Sequence, residues 1–252
     1  MGKLIEFRDV VKKFNGVPVL DGVTFGVEKG EVLCVVGPSG TGKSVTLKHL
    51  VRLLTPTSGQ VLVDGVDVAA CSDSELVKVR DRIGYLFQGG ALLAWMTVAE
   101  NVALPLEECT KLGDREIAVR VRRALRAVEL VPAADKYPAE ISGGMQKRAG
   151  LARAIVRESD IVLYDEPTSG LDPVSTKEVK TLVKALAKKG MTVLTTSHLL
   201  ADSQDICDRV MILNRGKSVA EGKVAELGES LEEFFLAKVG SGDDFALADF
   251  LA

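Results

Sequence analysis

The sequence lacks a long apolar run: none approaches the roughly 18–20 residues that a helix needs to cross a bilayer. Residues 1–6 lack the apolar stretch of a signal peptide, so we expect a first strand there and no secretion signal. The four cysteines are far apart and form no CxxC pair, which favours the reduced, mostly buried thiols of a cytosolic protein. The formal net charge of −3 argues against a dedicated nucleic-acid surface. Any association with a membrane is therefore expected to come through a partner.

Three glycines lie close together in the segment that follows the apolar run at 32–36. Glycines let backbone N–H groups come close to anionic oxygens and point toward them. A helix starting near Lys43 would add its positive end, with Lys43 reaching the β- and γ-phosphates and Ser44 ligating Mg²⁺. A plain strand–helix turn would not need Lys and Ser together. The segment therefore predicts a phosphate-binding loop formed by Gly37, Pro38, Ser39, Gly40, Thr41, Gly42, Lys43 and Ser44.

Two adjacent carboxylates follow the apolar run at 161–164, a pattern typical of a buried strand. Beside a phosphate loop, Asp165 could hold the Mg²⁺ shell, and Glu166 could polarise the water that attacks the γ-phosphate. Neighbouring residues on a strand point in opposite directions, so the two carboxylates need not serve the same atom. A solvated acidic turn is the alternative, and it fits poorly with four preceding apolar residues.

The sequence has two histidines, and their settings differ. His198 follows the strand-like segment at 192–197, where it could bond the γ-phosphate or hold the attacking water and Glu166 in line. His49 lies within the helix that follows the phosphate loop, where a packing or surface role is the simpler interpretation.

A helix is expected to begin at residue 142, where two adjacent glycines follow a serine. Ser142 is placed as the N-cap, and Gly143 and Gly144 leave the first amides of the helix unobstructed. Because the phosphate loop already serves one nucleotide, this helix end is expected to face a nucleotide held by another copy of the chain. A well-capped helix without a ligand is the alternative.

The residue pattern also predicts how the chain is organised. Strands are expected near 4–10, 17–28, 31–36, 60–63, 83–87, 161–164, 191–196, 209–214 and 217–221. Helices are expected at about 44–54, 114–130 and 174–189, and the section from roughly 90 to 158 reads almost entirely as helix. These elements indicate an α/β core with a helical insertion. Residues 229–252 carry two groups of apolar residues with phenylalanines and are expected to dock on the core or on a neighbouring subunit.

Together, these residues closely resemble the ATP-binding subunits of ABC transporters, over residues 3–225. Six motifs occur in order: the phosphate loop at 37–44, the Q-loop residue Gln88, the signature at 142–144, the carboxylates at 165–166, the D-loop at 169–172 and the switch residue His198. The resemblance implies an α/β fold, with a P-loop NTPase (RecA-like) core, an antiparallel β subdomain and a helical subdomain insertion. The implied core is 1–88 and 159–225, the helical subdomain is 89–158, and 226–252 form an amphipathic tail.

The resemblance also implies ATP and Mg²⁺ as cofactors and a head-to-tail homodimer around two ATP molecules. Each site would combine one subunit's phosphate loop with the other's Ser142, Gly143 and Gly144. Catalysis would involve Glu166, His198, Lys43 and Gln88, and the metal would be held by Ser44, Gln88 and Asp165. Further nucleotide contacts are implied for Val45, Asp172 and Phe14, which matches the position that stacks on adenine and is more often Tyr in the family.

A permease in the membrane is the second implied partner, its coupling helix lying in a groove beside Gln88. The chain would then sit at the cytoplasmic face of the inner membrane as a peripheral subunit, without a nucleic-acid partner. Ile141 and Met145 replace the Leu and Gln that usually surround the signature serine and glycines. Met145 and the segments 87–92 and 96–106 are similar to the ATPases of Mce-type lipid transport systems. Glycine-betaine-type importers share the methionine.

Two other classes can be weighed against a transporter subunit. Mechanical ATPases of DNA repair, chromosome organisation or translation carry coiled-coil insertions, zinc modules or fused cassettes, and the sequence displays none of these. A regulatory protein that no longer hydrolyses nucleotide is disfavoured because Lys43, Asp165, Glu166 and His198 are all present.

Overall fold

A computed structural model describes residues 3–227 and, beyond them, Leu231, Glu233 and Phe234. The strands are β1 (Lys3–Phe14), β2 (Val17–Glu28), β3 (Val32–Val36), β4 (Ser58–Val63), β5 (Val66–Asp67), β6 (Ile83–Leu86), β7 (Ile161–Tyr164), β8 (Thr192–Ser197), β9 (Arg209–Asn214) and β10 (Lys217–Lys223). The helices are α1 (Lys43–Leu50), α2 (Asp73–Asp81), α3 (Val98–Cys109), α4 (Asp114–Ala127), α5 (Gly143–Ile155), α6 (Pro173–Lys188) and α7 (Leu200–Ile206). Short 3₁₀ turns cover Val131–Ala133, Pro138–Glu140 and Val224–Glu226.

A six-stranded sheet in the order β10–β9–β3–β8–β7–β6 forms the centre of the molecule. Its neighbouring strands are parallel except for the antiparallel pair β9 and β10. Both faces are covered, which is why β3 is apolar throughout. Cys34 packs with the helices of one face, whereas Leu33 and Val35 pack with the second sheet. Because β3, β7 and β8 are parallel, the segments that follow them meet at one edge.

The second sheet is antiparallel, in the order β2–β1–β4–β5. The stacked rings of Phe7 and Phe25, with centroids 4.5 Å apart, bring β1 and β2 together on its buried face. Helices α1 and α2 contribute Leu47, Leu50 and Leu76 to the same core. The parallel sheet and this antiparallel sheet correspond to the P-loop core and the antiparallel β subdomain that the resemblance implies. The predicted α/β fold is therefore confirmed.

Between β6 and β7 the chain forms α3, α4, α5 and two 3₁₀ turns, and residues 87–160 contain no strand. Helix α3 begins at a capping box, in which Thr97 and Glu100 bond each other's backbone N–H groups. Helix α4 buries Ile117, Val121 and Leu125. Helices without strands are therefore observed here, but residues 87–97, 110–113 and 128–142 lie outside the α-helices, so the section is less helical than expected. Its bounds as a subdomain stay a prediction.

Two helices end earlier than the sequence pattern suggested. Helix α1 ends at Leu50 rather than near 54, and α4 ends at Ala127 rather than near 130. In each case a residue just beyond the end, Arg52 or Glu129, adopts a positive φ that stops the helix. The apolar residues beyond these points continue to pack in the core without continuing the helix.

The first part of the expected C-terminal tail contacts the core. Leu231 is buried, and its N–H donates to Gln204 Oε1 at 3.1 Å. Phe234 packs against the core that covers the helical face of the parallel sheet. The second apolar group of the tail lies outside the described residues.

Candidate active site

The phosphate loop leaves β3 at the carboxyl end of the parallel sheet and leads directly into α1 at Lys43. The Gly37 N–H donates to the Ser197 carbonyl at 3.3 Å, which fixes the loop to the end of β8. Any side chain at Gly37 would place its Cβ 2.2 Å from the Leu213 carbonyl oxygen. Gly40 and Gly42 have φ values of 81° and 103°. Glycine is therefore required here both for space and for backbone conformation.

The Lys43 side chain folds back into its own loop and is 5% exposed. Its ammonium donates to the carbonyl oxygens of Gly37 at 2.8 Å and Pro38 at 3.0 Å. It also lies 3.3 Å from Glu166 Oε1. The loop thus holds a buried positive charge at the place where the sequence predicts phosphate oxygens.

Asp165 lies just beyond β7 and accepts two hydroxyl hydrogen bonds on one oxygen. Ser44 Oγ donates to Asp165 Oδ1 at 2.9 Å, and Thr196 Oγ1 donates to the same atom at 2.7 Å. Hydroxyl and carboxylate oxygens are the donor set that Mg²⁺ prefers. The residues present therefore fit a magnesium ion at this position.

Glu166 has partners that differ from those of Asp165. Its Oε2 accepts a hydrogen bond from His198 Nδ1 at 2.6 Å, while its Oε1 faces Lys43. Its backbone has a φ of 50°, and its N–H donates to Thr196 Oγ1 at 3.0 Å. The residue is only 8% exposed. The two carboxylates thus occupy different places, as the strand geometry suggested.

The N-terminus of α5 forms a separate cluster with the start of α6. Ser142 caps α5 by accepting from the Met145 N–H at 3.2 Å, and Asp172 caps α6 by accepting from Val174 and Ser175 N–H groups. The Ser175 hydroxyl and these N–H groups lower the pKa of Asp172. A Cβ on Gly144 would lie 2.4 Å from Ser175 Oγ, so the two helix ends meet closely. Within the described residues, no hydrogen bond or ion pair joins this cluster to the phosphate loop.

Comparison with known proteins assigns the chain to the family that its sequence motifs resemble. A sequence model described as "ABC transporter" matches residues 20–169. The chain belongs to this family of ATPases. It is 43% identical over 223 residues to the probable ribonucleotide transport ATP-binding protein mkl of Mycobacterium leprae, covering 88% of this chain and 64% of that protein. It is 42% identical to the methionine import ATP-binding protein MetN of Caulobacter vibrioides, over 89% of this chain and 68% of that protein. The cassette therefore spans about two thirds of the length of these relatives.

Solved structures show the same fold. A dimeric ATP-binding cassette in a post-hydrolysis state, bound to ADP and Pi, is 31% identical with a TM-score of 0.80, covering 87% of this chain and 98% of that chain. The structure of cbiO1 from Clostridium perfringens, part of the ABC transporter complex cbiONQ, is 27% identical with a TM-score of 0.82 over 95% of this chain and 93% of that chain. In the part of this cassette that the structure describes, no helix is long and apolar enough to span a bilayer.

Other predicted site residues lie at the edges of the cassette's site. Gln88 is exposed in the turn after β6, and this strand end is tied to the carboxylates by the bond from the Asp165 N–H to the Leu86 carbonyl at 3.0 Å. Phe14, at the end of β1, is 41% exposed, with the Lys12 ammonium 5.1 Å from its ring centroid. Ser39 is exposed at the tip of the phosphate loop, and Val45 is half-buried in α1. Their roles stay predictions.

Three residues that sequence reasoning did not assign, or assigned incompletely, have clear places in the structure. Thr196 is fully buried and links Asp165 to the Glu166 backbone. Lys147 is buried on α5 and donates to carbonyls of the turn that begins at Glu166. The hydroxyl residues at the end of β8 could have predicted a site role for Thr196. No pattern in the residues around Lys147 indicates its contacts with the Glu166 turn. His49 is buried in α1, where its Nδ1 lies 2.7 Å from the Val45 carbonyl and burial lowers its pKa.

Proposed function

We propose that this cassette binds Mg·ATP and hydrolyses it to drive a transporter embedded in the membrane. The observation that carries the proposal is the convergence of Lys43, Ser44, Asp165, Glu166 and His198 within hydrogen-bonding range at one edge of the parallel sheet. These residues come from three separate parts of the sequence. A structural ion-pair network would not need a glycine loop and a helix N-terminus beside it.

The carboxylates have distinct proposed roles. Ser44 and Asp165 would hold Mg²⁺, together with Gln88, and a magnesium ion there would neutralise charge on the phosphate oxygens. Glu166 is the proposed general base, because its buried carboxylate is held on one side by Lys43 and on the other by His198. When a nucleotide binds, its phosphate oxygens would accept the hydrogen bonds that the Lys43 ammonium now donates to the loop carbonyls.

The predicted contacts at the starts of α5 and α6 would involve a second subunit. Ser142 and Gly143 are exposed at the start of α5, and Asp172 is exposed at the start of α6. We propose that they, with Gly144, face the nucleotide bound by the phosphate loop of a second copy. The likeness to a dimeric cassette bound to ADP and Pi supports this arrangement. Phe14, at the tip of the β1–β2 hairpin, would stack on the adenine, and Val45 would border the phosphates.

The variant Glu166→Gln tests the proposal. Removal of a general base is expected to lower kcat by about 10²–10⁴-fold while ATP binding remains. Because ATP would persist, the variant should accumulate as an ATP-bound dimer, measured by light scattering with and without nucleotide. Undiminished turnover would exclude Glu166 as the base, and a variant that stays monomeric with ATP and its permease would argue against the head-to-tail dimer.

A groove beside Gln88 is the proposed docking site for the permease. It has a volume of about 440 Å³ and is lined mainly by apolar side chains, among them Tyr85, Phe87, Leu104 and Pro105. The substitution Leu104→Asp is expected to reduce co-purification of the cassette with its permease. Val119→Asp, at an exposed position on α4 outside this groove, is the control and should leave co-purification unchanged. The cassette would accordingly lie at the cytoplasmic face of the inner membrane.

For the cargo, we propose a lipid moved by a system that contains an Mce-domain protein. This proposal is supported by the similarity of residues 87–92 and 96–106 to the ATPases of such systems. Met145 agrees with it but is shared by glycine-betaine-type importers. A glycine-betaine or amino-acid importer is the second candidate, favoured by the 42% identity to a methionine import protein. Isolation of the tagged cassette from native membranes would separate the two. An Mce-domain protein in the complex supports lipid cargo, whereas a soluble solute-binding protein supports import.

A further inference from the structure

Lys147 is a buried lysine whose ammonium is surrounded by backbone carbonyls. It lies on α5, five residues after the signature serine Ser142, and is 6% exposed. Its Nζ donates to the Glu166 carbonyl at 3.3 Å, to the Pro167 carbonyl at 3.2 Å and to the Ser169 carbonyl. An ammonium has three N–H donors, and all three acceptors belong to the turn that carries Glu166.

A lysine in this position is costly, so its presence calls for an explanation. Taking an ammonium out of water is unfavourable unless it finds good partners. Burial accordingly lowers the pKa of Lys147, an effect that the nearby Glu166 charge opposes. An apolar residue would fill the helix–sheet contact at lower cost. The ammonium is thus suited to hold carbonyl groups in place.

The turn that Lys147 binds is the one whose backbone orients Glu166. Glu166 has a φ of 50°, a conformation that non-glycine residues adopt only when surrounding contacts enforce it. On one side, its N–H is bound by the Thr196 hydroxyl at 3.0 Å. On the other side, its carbonyl is bound by Lys147. The direction of the Glu166 side chain therefore depends on an anchor in β8 and an anchor in α5.

Lys147 also ties this turn to the helix that carries the signature. Ser142 caps α5 at its start, and Lys147 lies little more than one helical turn further along the same rigid element. A shift of α5 relative to the sheet would move the carbonyl groups of Glu166 and Pro167, or would break their bonds to the ammonium.

We propose that Lys147 is a positioning residue for hydrolysis: it holds the Glu166 turn to α5, so that the carboxylate has its working orientation only while the signature helix is seated on the sheet. This inference rests on the proposed function, since it assigns to Lys147 an effect that is exerted through Glu166. Among the described residues, no hydrogen bond or ion pair joins Lys147 to the phosphate loop or to the Ser44–Asp165 pair.

The test is the variant Lys147→Met, which keeps the length of the side chain and removes all three donors. We expect kcat to fall by about tenfold or more, as for a misplaced catalytic group, with KM for ATP within about threefold of the wild-type value. In a Glu166→Gln background, the same substitution should lower single-turnover hydrolysis by less than about twofold, because the group it positions has been replaced. A merely structural defect would instead lower both backgrounds by the same factor. The control Lys184→Met removes an exposed lysine of α6 and should leave kcat unchanged.

The outcomes separate the inference from the proposed function. Wild-type kcat in Lys147→Met, or full additivity with Glu166→Gln, would overturn the role of Lys147 while leaving an active ATPase. Absence of hydrolysis in the wild-type complex with its permease would overturn both. If Lys147→Met does not fold, judged by its thermal unfolding, Lys147→Gln makes the same test, since its amide supplies two N–H donors. It is expected to lower kcat by a smaller factor at unchanged KM, and unaltered kcat in that folded variant would contradict the inference.

Discussion

Replacing Thr196 by valine would remove a single hydroxyl from the centre of the site while keeping the shape of the side chain. That hydroxyl makes two bonds: it donates to Asp165 Oδ1 at 2.7 Å and accepts from the Glu166 N–H at 3.0 Å. Thr196 is fully buried, so water is not available to replace either bond. Asp165 would keep only its bond from Ser44, and the Glu166 N–H would lose this acceptor.

The expected cost follows from these two losses. A hydrogen bond to a charged group contributes about 1.5–3 kcal/mol, and a buried N–H left without an acceptor costs about 1–3 kcal/mol. Because such terms are not strictly additive, we expect the free energy of unfolding to fall by roughly 2–5 kcal/mol. Domains are commonly stable by about 5–15 kcal/mol, so the variant should remain folded at 25 °C. Its kcat should fall by about 10–100-fold, since Glu166 and Asp165 both lose an orienting bond.

Thr195→Val is the matched control, one residue away on the same strand. Thr195 is also fully buried, but its hydroxyl donates to the Tyr164 carbonyl at 3.0 Å and does not contact a carboxylate. Loss of that neutral bond should cost about 0.5–1.5 kcal/mol and leave kcat nearly unchanged. Urea unfolding gives the stability of both variants, and steady-state ATPase measurements give kcat and KM.

The comparison has a clear refuting result. If Thr196→Val and Thr195→Val lower kcat equally, the Thr196 hydroxyl does not orient the carboxylates. If Thr196→Val retains wild-type kcat and stability, the two hydrogen bonds do not contribute in solution.

Three further predictions concern other parts of the chain. Ser142→Arg should abolish hydrolysis but leave the ATP affinity of the isolated subunit nearly intact, measured by equilibrium titration; equal loss of monomer binding would place Ser142 in its own site. Gly37→Ala should lower the free energy of unfolding by about 1–3 kcal/mol, because its Cβ meets the Leu213 carbonyl at 2.2 Å. Gly113→Ala has open space around it and should cost less, since it only weakens the N-cap of α4. His49 has a lowered pKa through burial, so the unfolded chain takes up its proton first as pH falls below about 6.5. Between pH 7.5 and 5.5, the free energy of unfolding, measured with urea, should therefore fall more for wild type than for His49→Leu, by up to about 1.4 kcal/mol per pH unit. Equal losses in the two proteins would contradict the lowered pKa of His49.

Much of the site could be predicted because its residues follow recognisable strands. The apolar runs before Gly37 and Asp165 and the strand-like segment before His198 predicted three strands, and the carboxyl ends of parallel strands meet at one edge. The ends of α1 and α4 were less predictable, since the positive φ of Arg52 and Glu129 is not signalled by residue type. The short strand β5 carries too few residues for a period to be visible.

The residue types alone indicate the chemistry proposed for this cassette: a glycine loop ending in Lys43 and Ser44, two carboxylates after a buried strand and a histidine after another. These features are local, since each depends on residue types within a few positions of one another. Which of these groups touch one another depends on the three-dimensional fold. The strand order places β8 between β3 and β7, so Thr196 lies between the phosphate loop and the carboxylates. The packing of α5 on the sheet brings Lys147 to the Glu166 turn, 19 residues away along the chain. Such contacts depend on how whole elements pack, and a local pattern of residues carries no record of that packing.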